Sequence, residues 1–176
     1  MKKYIITGLV AAIAATSSAL AGTYSLGKKT VIPYEEPCVF RDNEFQIDAF
    51  GQGAFNNQGH PGWGGGLGLN YFFLRYIGLG VEQSVFGRTG HGAEWATLGN
   101  LFLRYPICSW NIAPYAMVGG GGLYGTGQGR GVGHVGGGLE IRFTDNIGLF
   151  GDARWLYSGE SPHSGVLART GLRFAF

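Results

Sequence analysis

From about residue 45 onward the sequence alternates, and its charges follow the alternation. Asp48, Glu82, Glu94, Arg104, Glu140, Arg142, Asp152, Arg154, Arg169 and Arg173 all fall in one register of eight period-two segments, and none falls in the apolar register. The segments run at about 45–55, 63–73, 76–86, 93–105, 112–124, 133–143, 147–157 and 164–176. Successive side chains of a strand point to opposite faces, so this sorting predicts eight strands, each with one apolar and one charged face. Roughly ten residues is the length a tilted strand needs to span a bilayer.

The apolar register reads Phe45, Ile47, Ala49, Gly51, Gly53 and Phe55, then Trp63, Leu67, Leu69 and Tyr71, then Ile77, Leu79, Val81 and Val85, with Gln83 an exception. It continues through Trp95, Thr97, Leu101, Leu103 and Tyr105, and in the fifth segment through Ala113, Tyr115, Met117 and Leu123. The last three segments supply Val135, Leu139, Ile141 and Phe143, then Ile147, Leu149, Ala153, Trp155 and Tyr157, then Val166, Ala168, Thr170, Leu172, Phe174 and Phe176. The opposite register adds glycines to the charges, among them Gly64, Gly66, Gly68, Gly78, Gly80, Gly136 and Gly138. A soluble barrel hides its apolar face; a membrane barrel shows it to lipid and turns its polar face inward. A lipid-facing Arg or Lys at mid-bilayer costs about 2–4 kcal/mol, which is reason enough for the sorting. The expected fold is all-β, an eight-stranded antiparallel up-and-down transmembrane β-barrel. Ring residues gather at the ends of the apolar register, with Phe45, Tyr71, Tyr105, Tyr115, Phe143 and Phe176 at one end and Trp63, Trp95, Trp155 and Tyr157 at the other. Two such aromatic belts are expected at the membrane interfaces.

The start of the chain reads as a cleaved signal peptide over residues 1–21. Lys2 and Lys3 precede an apolar run, and Ala19-Leu20-Ala21 supplies a small-residue cleavage site. With those two lysines gone, 13 basic residues against 11 acidic become a formally neutral chain. Scattered basic residues and a charge near zero argue against nucleic-acid binding. Residues 22–43 are expected as a periplasmic N-terminal segment and residues 44–176 as the barrel. The connections Leu74-Arg75, 106–111 and 144–146 read as tight periplasmic turns, and the Gly- and Pro-rich stretches at 56–62, 87–92, 125–132 and 158–163 as short outer loops.

The alternation over residues 44–176 resembles that of the small outer-membrane β-barrel family, the OmpA and OmpX type. The last strand, Gly-Val-Leu-Ala-Arg-Thr-Gly-Leu-Arg-Phe-Ala-Phe, carries Leu172, Phe174 and Phe176 at alternate positions, and the turn Arg142-Phe143-Thr144-Asp145-Asn146-Ile147-Gly148-Leu149 is similar to turns of such barrels. The resemblance implies that the terminal Phe is the signal presented to the outer-membrane barrel assembly machinery, that outer-membrane lipid surrounds the protein, and that the source is a Gram-negative-type bacterium with both mature termini periplasmic.

Eight strands leave an interior just wide enough for side chains. Five acids (Asp48, Glu82, Glu94, Glu140, Asp152) and five arginines (Arg104, Arg142, Arg154, Arg169, Arg173) are expected there. Strand direction places Glu82, Asp152, Arg154 and Arg169 in a middle layer and Asp48, Arg104, Glu140, Arg142 and Arg173 nearer the periplasm. Interlocked ion pairs would plug the lumen, as buried charges must be satisfied; a narrow charged conduit for ions or small solutes is the alternative. Cys38 and Cys108 both fall on the periplasmic side. An exported chain meets an oxidising compartment, so a bridge between them is expected, with two free thiols as the alternative.

No catalytic residue, cofactor or metal site is expected. Some lipid A-modifying barrels use a His-x-Ser pair with a Glu; here the histidines read His60-Pro61, His91-Gly92, His134-Val135 and His163-Ser164, and none fits. Two distant cysteines and dispersed histidines lack metal-ligand spacing. Gly119–Gly122 lacks the Gly-Lys-Ser/Thr ending of a phosphate loop. A soluble lipocalin-like carrier would need an apolar lumen, against which the inward charges argue. The sequence reading is therefore a non-enzymatic barrel that braces the membrane or offers a small surface for interaction.

Overall fold

A computed structural model describes residues 38–56, 61–88, 92–125, 129–158 and 165–176. The expected signal peptide, most of the segment 22–43, much of the outer loops, and His60, His91 and His163 lie outside the described residues.

Eight strands form: β1 Glu44–Asn56, β2 Gly62–Leu74, β3 Ile77–Arg88, β4 Gly92–Arg104, β5 Ile112–Tyr124, β6 Arg130–Arg142, β7 Ile147–Ser158 and β8 Gly165–Ala175. Each pairs antiparallel with its sequence neighbours, and β8 pairs with β1, so the sheet closes with no free edge. Closure matters because an unpaired edge could not be solvated in lipid.

The connections at the end nearer the chain terminus, called the lower end here, have clear local causes. Arg75 and Tyr76 alone link β2 to β3. Between β6 and β7 the Thr144 hydroxyl accepts from the backbone N–H of Asn146 at 3.3 Å and of Ile147 at 3.0 Å, a side-chain substitute for a backbone turn. Between β4 and β5 a single 3-10 turn, Cys108–Trp110, ends at Asn111 with φ 54°, a left-handed conformation that Asn tolerates better than most residues. The seam is finished by the last residue: the Phe176 N–H donates to the Phe45 carbonyl at 2.8 Å, and their rings lie 6.5 Å apart.

The two faces of the sheet are sorted as a membrane demands. Large apolar side chains stand outside, with Leu67 62% exposed and Val81, Leu103 and Val135 similarly bare, while Glu140 and Arg173 inside are 0% and 1% exposed. In water this arrangement would be inverted; in lipid it is the stable one. No helix of the described residues is long and apolar enough to cross a membrane.

The fifth strand departs from the sequence reading. Ala113, Tyr115 and Met117 point inward and are buried, Leu123 turns inward as well, and Pro114, Ala116 and Val118 face out. The cause is the pairing with β4, where Tyr115 stands opposite Arg104, Met117 opposite Phe102 and Ala116 opposite Leu103. Directly paired residues share a face. Since Arg104 is inside, Tyr115 must be inside too, and it leaves the lower aromatic belt.

Inside, glycines make room for the larger groups. A Cβ on Gly78 would lie 2.7 Å from the Phe72 ring, and one on Gly148 would lie 2.8 Å from Cδ of Arg142.

Candidate functional site: the charged lumen

The lumen is built in layers set by strand register. The lower cluster holds Glu44, Asp48, Glu140, Arg104, Arg142 and Arg173. Asp48 and Arg173 stand directly opposite across the closing pair β1–β8. The Arg173 Nε and Nη2 donate to the two Asp48 oxygens at 2.7 and 2.6 Å, and its Nη1 donates to Glu140 Oε2 at 2.7 Å. Arg104 Nη1 and Arg142 Nη2 both donate to Glu44 Oε1, at 2.9 and 2.8 Å, and Arg142 Nε donates to Glu140. Gln46 donates to Glu44 at 2.6 Å and Asn70 to Asp48 at 2.8 Å.

The middle cluster holds Glu82, Asp152, Arg154 and Arg169. Arg154 grips Glu82 with both terminal nitrogens, at 2.8 and 3.2 Å. Arg169 donates to both oxygens of Asp152, at 2.9 and 2.6 Å, and from Nη1 to Glu82 at 2.6 Å. The Tyr115 hydroxyl donates to Asp152 at 2.9 Å, and Asn100 donates to Glu82 at 3.1 Å. The inward turn of β5 thus brings a hydrogen-bond donor to a carboxylate.

Aromatic rings separate and cushion the guanidinium groups. Arg104 lies 3.9 Å from the Phe72 ring centroid. Arg169 sits over Phe50 at 4.6 Å, and Arg173 over Phe150 at 4.6 Å; those two rings meet edge-on at 6.3 Å. Guanidinium planes are suited to such stacking as well as to carboxylates.

Charge closes within each layer. Three carboxylates meet three arginines below, and two meet two in the middle. Removing a carboxylate or an arginine from water costs several kcal/mol, offset here by close pairing, although Arg104 Nη2 and Arg154 Nε make no hydrogen bond. Each layer is therefore formally neutral.

Above the middle cluster the lumen changes character. Phe86, Ala96, Leu98 and Val132 pack together with Leu123 and Leu156 against them. This apolar layer is absent from the sequence reading, which expected charge and glycine throughout. His134 points inward beside Leu156, its partner on β7, and is buried. Glu94 is a second correction. It lies at the outer mouth, part-exposed and paired with Arg130 at 3.5 Å, apart from both clusters. The third carboxylate of the lower cluster is instead Glu44, one residue ahead of the expected strand start.

The lower mouth carries a floor. Cys38 and Cys108 form a disulfide with Cα atoms 4.9 Å apart. Cys38 precedes β1, while Cys108 follows β4, on the opposite side of an eight-strand ring. Residues 38–43 therefore cross the opening. Phe40, 1% exposed, lies beneath the lower cluster with its ring 5.0 Å from Arg104 and 5.3 Å from Arg142. The sequence reading did not single out Phe40.

The remaining sequence-predicted residues lie on the outer wall. Trp63, Trp95, Trp155 and Tyr157 are exposed at the upper end, and Tyr71, Tyr105 and Phe143 at the lower end; Tyr115 alone departs from the expected belts. Leu172 and Phe176 are exposed and Phe174 half-buried along the last strand. Among the described residues no three His, Cys, Asp or Glu side chains are placed to hold a metal ion.

This is a closed antiparallel barrel with an apolar exterior and a charged core, the build of a membrane-spanning barrel. The chain matches solved outer-membrane barrels over most of its length. The N-terminal β-barrel domain of OprF from Pseudomonas aeruginosa is 21% identical with TM-score 0.62, covering 77% of this chain and 98% of that one. Neisserial surface protein A is 15% identical with TM-score 0.58, covering 76% and 96%. OprG from Pseudomonas aeruginosa is 10% identical with TM-score 0.56, covering 80% and 99%. The fold is that of the eight-stranded outer-membrane β-barrels. No protein-family model matches the sequence, and no curated protein matches it.

Proposed function

We propose that this protein is a non-enzymatic, integral outer-membrane barrel with a closed lumen, whose work is done by its walls: bracing the membrane and offering a small outer surface for interaction. The observation that carries this reading is the filling of the lumen. A floor residue, two charge-balanced clusters and an apolar upper layer follow one another along the axis. The balanced pairing disfavours the narrow-conduit reading, because an ion entering either cluster would have to displace a bidentate partner. The charges within the lumen also disfavour a carrier for an apolar ligand.

Membrane lipid is the partner of the exposed wall, and the outer-membrane assembly machinery is the partner of the last strand during biogenesis. The short turns and both mature termini face the periplasm in this reading. Among structural neighbours, Ail of Yersinia pestis is described as an attachment invasion locus protein, and its TM-score to this chain is 0.50. That likeness keeps a surface-interaction role in view beside the bracing role.

Fractionation tests the reading. Full-length chain expressed in a Gram-negative host should be recovered in outer membranes and shift in gel mobility between unboiled and boiled samples. Recovery as a soluble periplasmic protein with no shift would overturn it.

A further inference from the structure

We propose that residues 38–43 are a redox-latched floor: the Cys38–Cys108 disulfide holds Phe40 in the lower mouth, and its reduction by a periplasmic dithiol releases the strap and opens the lower cluster to water. The periplasmic setting rests on the proposed function; the geometry of the latch does not.

The two ends of the strap are held differently. At the β1 end the backbone N–H of Arg75 donates to Asp42 at 2.5 Å, the Tyr71 hydroxyl donates to Asn43 at 3.1 Å, and the Arg41 N–H donates to Glu44 at 3.4 Å. Asn43 itself has φ 56°, a left-handed bend that Asn tolerates better than most residues. At the far end the tie among the described residues is the disulfide. Between them the Phe40 ring rests against Arg104 and Arg142, the two arginines that share Glu44. One covalent bond therefore decides whether a ring or water lies under three buried charges.

The bond can be reached. Cys38 and Cys108 are only half-buried, and a crevice of about 170 Å³ lined by Cys38, Val39, Arg41 and Asp145 opens beside Cys38. A thiolate of the dithiol attacks one sulfur, the other cysteine leaves as thiolate, and the donor's second thiol resolves the mixed disulfide. Two electrons and two protons pass to Cys38 and Cys108, and the donor leaves as its own disulfide. The middle cluster and the apolar layer above are untouched, so release of the floor opens no through-pore.

The test uses the folded full chain in detergent. Protein reduced with dithiothreitol, alkylated and freed of reductant is compared with oxidised protein for trypsin cleavage between Arg41 and Asp42, read by mass spectrometry as the new N-terminus at Asp42. The heat-shifted gel band reports that both samples stay folded. We expect millimolar dithiothreitol to reduce the bond without loss of the band, and cleavage at Arg41 to rise at least tenfold. The double variant C38S/C108S should cleave at the fast rate with or without reductant. A disulfide that resists dithiothreitol until the barrel unfolds, or equal cleavage of folded oxidised and reduced protein, would overturn the latch. Neither result bears on outer-membrane location, which fractionation reads separately.

Discussion

Arg173 and Asp48 face each other across the only strand pair that joins the last strand to the first, and the guanidinium holds both carboxylate oxygens. The same arginine reaches Glu140 on β6. One side chain thus ties three strands at the seam. Breaking a buried pair by removing one partner typically costs about 3–5 kcal/mol, because the other charge is left uncompensated. Arg173→Met should lower stability by about that amount, read by urea unfolding of the barrel in lipid vesicles. The double variant Asp48→Leu with Arg173→Met should lose less than the sum of the two single changes; strict additivity would show that the pair is not coupled.

Tyr115 offers a sharper check on the interior. Its hydroxyl donates to Asp152 inside the middle cluster. Hydrogen bonds to charged groups contribute about 1.5–3 kcal/mol, so Tyr115→Phe should cost about that much. Tyr105 stands on the outer wall, and Tyr105→Phe should stay within about 0.5 kcal/mol, the usual range for surface changes. The same unfolding assay compares them. Equal effects would contradict the inward placement of Tyr115.

The wall of β5 can be probed from the other side. Val118 is exposed opposite Leu101 on β4. If lipid covers it, Val118→Arg should cost about 2–4 kcal/mol in vesicles, the depth-dependent penalty of a charge facing lipid. The same change at the exposed lower-rim residue Trp110 should cost less than about 1 kcal/mol. Insensitivity at Val118 would mean that lipid does not reach this strand.

Most of the barrel was legible because seven strands keep a strong contrast between faces. Charges such as Asp152 and Arg154 mark one face of β7, and Leu149 and Trp155 mark the other. On β5 the contrast fails. Its outward Pro114, Ala116 and Val118 are no more apolar than its inward Ala113, Tyr115 and Met117, and Gly119–Gly122 carry no pattern at all. Pairing with β4 fixes the face instead, which is long-range information. Glu44 could have been found by carrying the alternation of Asp48 and Gln46 back one step. Phe40 could not, since it reaches the lumen from outside any strand, by way of a disulfide partner 70 residues away. The apolar upper layer leaves no mark in the alternation, because Leu98, Val132 and Leu156 occupy the inward register without charge.

The central claim is that the lumen is shut, and single-channel recording on heat-modifiable protein in planar bilayers tests it most directly. The balanced clusters and the apolar layer above them predict no steady conductance for the wild-type protein at any moderate voltage. A stable, reproducible ohmic step from the unboiled, folded species would contradict the account and give the lead to the conduit reading.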